Sequence, residues 1–182
     1  IYLTEDDMPL IAEASSPVAH CPKSNAKLGS GIARIPEMLA SGIKLSLGTD
    51  SAASNNKLDI FEEMRAAIFI QRAKRADAPV LTAEEVLHMA TLGGAEALGL
   101  DDFVGSLEPG KKADIVVVEL HEGLVPTYDP ISTLVYCASG SDVVFVMVDG
   151  DVLFERGRFC KLDASRVLSA CQEIGERLAE EL

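Results

Sequence analysis

The sequence predicts an α/β fold followed by a mainly β segment and a terminal helix. Three observations lead there. Two short apolar runs end in a polar residue, at His20 and at Asp50. The roughly 30 residues between those ends hold a loop, a helix and a strand, the length of one step in a parallel α/β structure. Helical periodicity dominates up to about residue 100, after which β-branched runs and turn signals take over until Ala164. The expected division is 1–100, 101–160 and 161–182.

Thr4-Glu5-Asp6-Asp7, ahead of Met8, Leu10, Ile11 and Ala14, reads as an N-capped amphipathic helix with acids in its first turn. Pro17 to Cys21 is a very short strand, closed by Pro22 and a polar, glycine-containing loop to Ala33. Arg34 to Ala40 forms a short helix that Ser41-Gly42 closes. Ile43 to Leu47 alternates and runs into the tight turn Gly48-Thr49-Asp50. The next helix covers Leu58 to Ala73 and breaks at Ala76-Asp77-Ala78-Pro79. Thr82-Ala83-Glu84-Glu85 is a capping box opening a helix to about Ala97, which Gly99 stops. Gly105 to Lys111 is turn-rich and leads into a strand over Ala113 to Val118. Val143 to Val148 is another, joined to Val152-Leu153-Phe154 through the hairpin signal Asp149-Gly150-Asp151. A helix from Ala164 to Leu182 ends the chain.

With 48% apolar and 25% charged residues, the 182-residue chain is neither disordered nor collagen-like. No apolar run approaches the roughly 18 residues that would span a membrane, so a soluble protein is expected. The net charge of −13 argues against a nucleic-acid phosphate partner. That charge is uneven. Residues 1–80 carry 9 basic and 10 acidic side chains, and residues 81–182 carry 7 and 19, which reads as a solvated acidic surface. The four cysteines, Cys21, Cys137, Cys160 and Cys171, form no CxxC pair, so reduced thiols in a cytoplasmic protein are expected. Cys21 reads as a small buried hydrophobe.

His20 and Asp50 carry the chemistry. Side chains at the carboxyl ends of neighbouring parallel strands converge on one face, and both residue types bind metals and transfer protons. His20 could equally be a hydrogen-bonded structural residue, and Asp50 a cap for the following turn. The small, polar stretch Ser51-Ala52-Ala53-Ser54-Asn55-Asn56 is long enough to line a pocket.

Three segments resemble the amidohydrolase superfamily: His20-Cys21-Pro22-Lys23-Ser24-Asn25-Ala26-Lys27-Leu28, Gly48 through Asn56, and Leu58-Asp59-Ile60-Phe61-Glu62-Glu63-Met64-Arg65. Within it they most resemble the 5′-methylthioadenosine/S-adenosylhomocysteine deaminases and their chlorohydrolase-like relatives. Gly105 to Asp114 resembles the start of the family's small β domain, and Met147-Val148-Asp149-Gly150 its late hairpin. The resemblance implies the C-terminal part of a metal-dependent (β/α)8 TIM barrel. Strands seven and eight would lie in residues 1–100, part of a small composite β domain in 101–160 and a C-terminal helix in 161–182.

It further implies a divalent metal, usually zinc, whose bound hydroxide attacks an amidine-like ring carbon as ammonia leaves. By motif, Asp50 would close strand eight, contact the metal or its water, and take the water's proton. His20 would be a pocket residue at the end of strand seven, with Ser24, Asn25 and Asn55 also lining the substrate site. By the resemblance, the family's His-x-His, two further histidines and a proton-shuttling Glu would lie upstream of Ile1; His88, on a predicted helix, and His121, past a strand, read as structural or solvent-exposed. The chain begins at Ile1 without Met, and the expectation is a fragment that is inactive alone. The implied partner is a small nucleoside or heterocycle, with no nucleic acid or membrane, in a homo-oligomer. The alternatives are a non-catalytic amidohydrolase-like scaffold, or a hydrolase of cytosine, guanine or triazine rings.

Overall fold

Residues 1–180 are described by the computed structural model. A short helix, α1 (Asp7–Glu13), follows a reciprocal pair in which Thr4 donates its amide and hydroxyl to Asp7 Oδ2 at 2.8 and 2.7 Å. Then come β1 (Val18–His20), α2 (Pro22–Lys27), α3 (Ile35–Ala40) and β2 (Leu45–Leu47). The two strands pair in parallel, Val18 opposite Leu45 and His20 opposite Leu47, as the 30-residue step requires. Helix α2 occupies part of the expected loop. Pro22 at its first position has a preset φ and no amide to satisfy, so a helical turn starts directly after the strand.

The expected loop after β2 is also a helical turn, α4 (Ala52–Asn55), capped by Ser51. Helix α5 (Ile60–Arg75) is the main brace of this half, its buried face formed by Glu63, Met64, Ala67, Ile68 and Gln71. The expected capping box opens α6 (Ala83–Ala90), with Thr82 and Glu85 bonding each other's backbone. The single helix predicted to Ala97 is two, broken at Thr91 ahead of α7 (Leu92–Leu98). The break lets α7 close onto β2, and Gly93 permits the approach: a Cβ there would stand 2.6 Å from the Leu45 carbonyl. Gly99, with φ at +67°, ends α7 in the left-handed conformation.

Beyond residue 100, β3 (Ile115–Val118), β4 (Val143–Val148), β5 (Asp151–Glu155) and β6 (Arg158–Phe159) form an antiparallel sheet in that order. Asp149 and Gly150 both take positive φ, +51° and +83°, the turn that matches the strands' right-handed twist. Between β3 and β4 lies α8 (Pro130–Tyr136), an element the sequence pattern did not reveal. Its Val135 is buried in one apolar cluster with Met64, Ile68 and Val86. Helix α9 (Ala164–Glu180) buries none of its side chains, and residues 181–182 of the expected helix lie outside the described residues. No described helix is long and apolar enough to cross a membrane.

Polar contacts from α5 fasten the segment around α8. Asp59 caps α5 by accepting the Phe61 amide on Oδ1 at 2.9 Å, while its Oδ2 accepts the Gly140 amide at 3.0 Å. Arg65 donates to the carbonyls of Val135 and Ala138. One buried carboxylate thus serves a helix start and a chain segment 81 residues away. Replacing Asp59 by Ala removes a cap and orphans the Gly140 amide, an expected loss of about 1–3 kcal/mol. Urea unfolding followed by circular dichroism checks this. Asp59→Asn keeps one acceptor oxygen and is expected to lose less.

Candidate active site

The parallel register carries past the strands, because the Gly48 amide donates to the His20 carbonyl at 2.9 Å. The chain leaving β1 therefore runs beside the chain leaving β2. Across that gap the buried Ser24 hydroxyl donates to Asp50 Oδ2 at 2.6 Å, and the Ser51 amide donates to Asp50 Oδ1 at 2.7 Å. Asp50 sits at φ +59°, in the left-handed region that costs a non-glycine residue about 1–3 kcal/mol. The Ser24 hydroxyl, ahead of the Ser51 amide, holds the Asp50 carboxyl below its ordinary range. The result is an exposed, ionised carboxylate anchored through both oxygens, each with a lone pair to spare.

Asn55 does not reach Asp50. It is buried, and its Nδ2 donates to the Thr49 carbonyl at 2.5 Å and to Glu63 Oε1 at 2.7 Å. Glu63, with no exposed surface, accepts the Lys23 amide on Oε2 at 3.2 Å. Sequence reasoning quoted Glu63 only as part of a motif. The available signal was its place on α5, four residues before Ala67 and eight before Gln71, a carboxylate on the buried stripe.

His20 and Asn25 face elsewhere. Together with Pro22, Ala33 and Ile70 they line a cavity of about 330 Å³ that includes neither Ser24, Asp50 nor Asn55. His20 is 5% exposed and its Nε2 has no hydrogen-bond partner. Burial pushes the imidazole down to about 4. Cys21 is half-buried beside Gly48, and burial together with the charges of Asp50 and Glu63 pushes its thiol up, away from nucleophilic use. His88 is exposed, and His121 pairs with Asp142 and the Gly123 amide. Among the described residues, no group of three or more His, Cys, Asp or Glu side chains stands where it could hold a metal ion.

A carboxylate presented at the carboxyl end of a parallel strand, and braced by the loop of the neighbouring strand, is how α/β enzymes build a site. Residues 1–153 match the family model described as Amidohydrolase family, and the chain belongs to that family. It is 45% identical over 168 residues to a 5-methylthioadenosine/S-adenosylhomocysteine deaminase of Moorella thermoacetica, covering 92% of this chain and 39% of that protein. The protein of the same name from Desulforudis audaxviator is 44% identical over 181 residues, covering 99% and 42%. Among solved structures, an adenosine deaminase from Xanthomonas campestris with bound zinc superposes with a TM-score of 0.94 at 37% identity, over 98% of this chain and 41% of that one. An atrazine chlorohydrolase from Arthrobacter aurescens in complex with zinc gives 0.88 at 32%, over 95% and 39%. The chain spans about two fifths of the length of the curated relatives it matches.

His20 supplies a pH test of this geometry. Its folded-state value lies below the ordinary 6.5, so the unfolded chain takes up the proton first on acidification. The stabilisation is complete above about 6.5 and is lost as pH falls toward 4, at most about 3 kcal/mol over that window. Denaturation midpoints measured from pH 7.5 to 4 are expected to fall for the native protein, and to fall less steeply for His20→Gln.

Proposed function

We propose that the chain forms part of the active site of a metal-dependent aminohydrolase, one that removes ammonia from the purine ring of a 5′-methylthioadenosine- or S-adenosylhomocysteine-like nucleoside. The observation that carries this reading is Asp50: an ionised, doubly anchored carboxylate at a strand end, in a chain 45% identical to a deaminase of such nucleosides. In this reading β1 and β2 are strands seven and eight of a (β/α)8 barrel, residues 101–160 belong to a small β domain, and 161–182 form an appended helix.

The donor set fits a zinc ion in part. Asp50 offers one hard, ionised oxygen ligand, and zinc takes carboxylates alongside imidazoles. Three- or four-ligand coordination then draws its other ligands from sequence outside these 182 residues. When bound, zinc supplies a water activated near neutral pH.

Asp50 holds and moves the proton. As water adds to the amidine carbon, one carboxylate oxygen of Asp50 takes its proton, and that proton then passes to the departing amino nitrogen. Water and ring amine are thereby exchanged for a ring oxygen and ammonia. The Ser24 hydroxyl and the Ser51 amide keep the carboxylate ionised and fixed in orientation while its remaining lone pairs do this work. His20 and Asn25 line their own cavity and are placed for substrate contact there, while Ser24 bonds the Asp50 carboxylate and Asn55 the carbonyl just before it. The four free cysteines suit a cytoplasmic enzyme, and the family resemblance carries the proposal of a homo-oligomer.

The full-length, zinc-loaded protein should release ammonia from 5′-methylthioadenosine or S-adenosylhomocysteine in preference to cytosine, guanine or a triazine. Asp50→Asn should cost roughly 10²–10⁴-fold in turnover with folding intact, the range of a lost proton-transfer group. Near-normal turnover in that variant removes Asp50 from the chemistry. The 182 residues alone should show no sub-micromolar zinc binding by calorimetry, since one carboxylate cannot make the site.

A further inference from the structure

Glu63 is a fully buried carboxylate that makes no ion pair among the described residues and takes no part in the proton transfer above. Such a group is expensive to bury unless its lone pairs are met, and here they are met by two donors, one from the helical turn after each strand, α2 and α4. Oε2 takes the amide of Lys23, and Oε1 takes one hydrogen of the Asn55 side-chain amide. The other Asn55 hydrogen goes to the Thr49 carbonyl. Lys23 immediately precedes Ser24, and Thr49 immediately precedes Asp50. The carboxylate therefore holds the residue before each partner of the 2.6 Å bond between Ser24 and Asp50, Lys23 directly and Thr49 through Asn55.

Its place in the sequence suits that task. Glu63 lies in the N-terminal part of α5, one turn after the Asp59 cap, where the helix dipole favours negative charge. Helix α5 packs Met64, Ala67 and Ile68 into the core, so the grip is anchored to a helix fixed there. Asp50 meanwhile stands in a backbone conformation it would leave if its surroundings slackened. We infer that Glu63 is a positioning residue: it sets the orientation of the Asp50 carboxylate by clamping the two strand-end loops together. This rests on the reading of Asp50 as the working carboxylate.

A glutamine cannot replace it. The carboxamide keeps one acceptor oxygen and turns an NH2 group toward the second donor, so one of the two loops is released. The test compares Glu63→Gln with the native full-length protein by amide hydrogen exchange and steady-state kinetics. The Ser51 amide is the reporter, because it bonds Asp50 Oδ1 and neither the Glu63 nor the Asn55 side chain bonds to it. In the variant, protection of the Ser51 amide is expected to fall roughly tenfold while that of Val86 in α6 is unchanged. Turnover should fall roughly 10–100-fold with KM within about threefold, as for a misplaced reacting group. Asn55→Ala, which cuts only the Thr49 arm, should reproduce the Ser51 effect and leave the Lys23 amide protected. It also serves if Glu63→Gln does not fold.

Unchanged Ser51 protection in both variants overturns the inference. So does a loss at Ser51 that Val86 shares, which marks general destabilisation. Loosened Ser51 with normal turnover keeps the clamp and overturns instead the catalytic reading of Asp50.

Discussion

The parallel pairing of β1 with β2 is the constraint from which the rest of the site follows. Each strand is only three residues long, and their alignment is fixed by His20 standing opposite Leu47. A one-residue slip would turn Leu45 and Leu47 over and expose what is now packed against α5 and α7. With the register held, the Gly48 amide bonds the His20 carbonyl, and the two outgoing chains run side by side for several residues. Only then can a serine four residues past one strand end reach an aspartate three residues past the other. A hydrogen bond between residues 26 apart in sequence is thus set by backbone pairing, before any side-chain chemistry.

Burial of polar groups near this seam follows one rule. Asp59, Glu63, Asn55 and Gln71 are all withdrawn from solvent, and each answers a backbone group that the fold would otherwise strand. Gln71 donates to the Ala33 carbonyl, Asn55 to that of Thr49, and the two carboxylates accept amides of Gly140 and Lys23. Three of the four sit on α5 or at its cap. Loops that cross a core leave amides and carbonyls with no ladder to join, and a helix carrying polar residues on its buried stripe can meet them. The apolar residues of α5 hold it in place, and the polar ones interleaved with them shape the loops. The two sets share one face, so a change that shifts the helix disturbs the site.

The parts of the fold legible in the sequence were those set by local chemistry. The capping box at Thr82, the Gly99 stop, the β4–β5 turn at Asp149-Gly150 and the strand ending at Leu47 all depend on nearest neighbours, and each stands where the pattern put it. The misses depend on contacts distant in sequence. The break at Thr91 accompanies the close approach of α7 to the Leu45 carbonyl, which no local pattern records. Helix α8 is seven residues long, too short for a periodic stripe, and is held by Arg65 and the core around Val135. At the site, the proximity of Ser24 to Asp50 was implicit in the paired strand ends. The separation of His20 and Asn25 into their own cavity was not, since it depends on how α2 turns directly after Pro22.

Backbone strain brings these threads together at one residue. Among the described residues, six non-glycine residues take positive φ: Ser15, Asp50, Asn56, Ala76, Asp149 and Arg156. Five have an ordinary reason. Ser15, Asn56 and Ala76 end helices α1, α4 and α5, while Asp149 and Arg156 sit in the hairpins flanking β5. Asp50 has none of these, since it lies between the end of a strand and the start of a helix. A glycine there would relieve the backbone but would bring no carboxylate. What keeps the aspartate in place is the set of bonds around it: Ser24 and Ser51 on its carboxylate, and Asn55 on the carbonyl just before it. Each of those partners is placed by the strand register or by α5. The energy stored at residue 50 is therefore balanced by contacts reaching back to the core, and the carboxylate is held in an orientation the bare chain would not adopt.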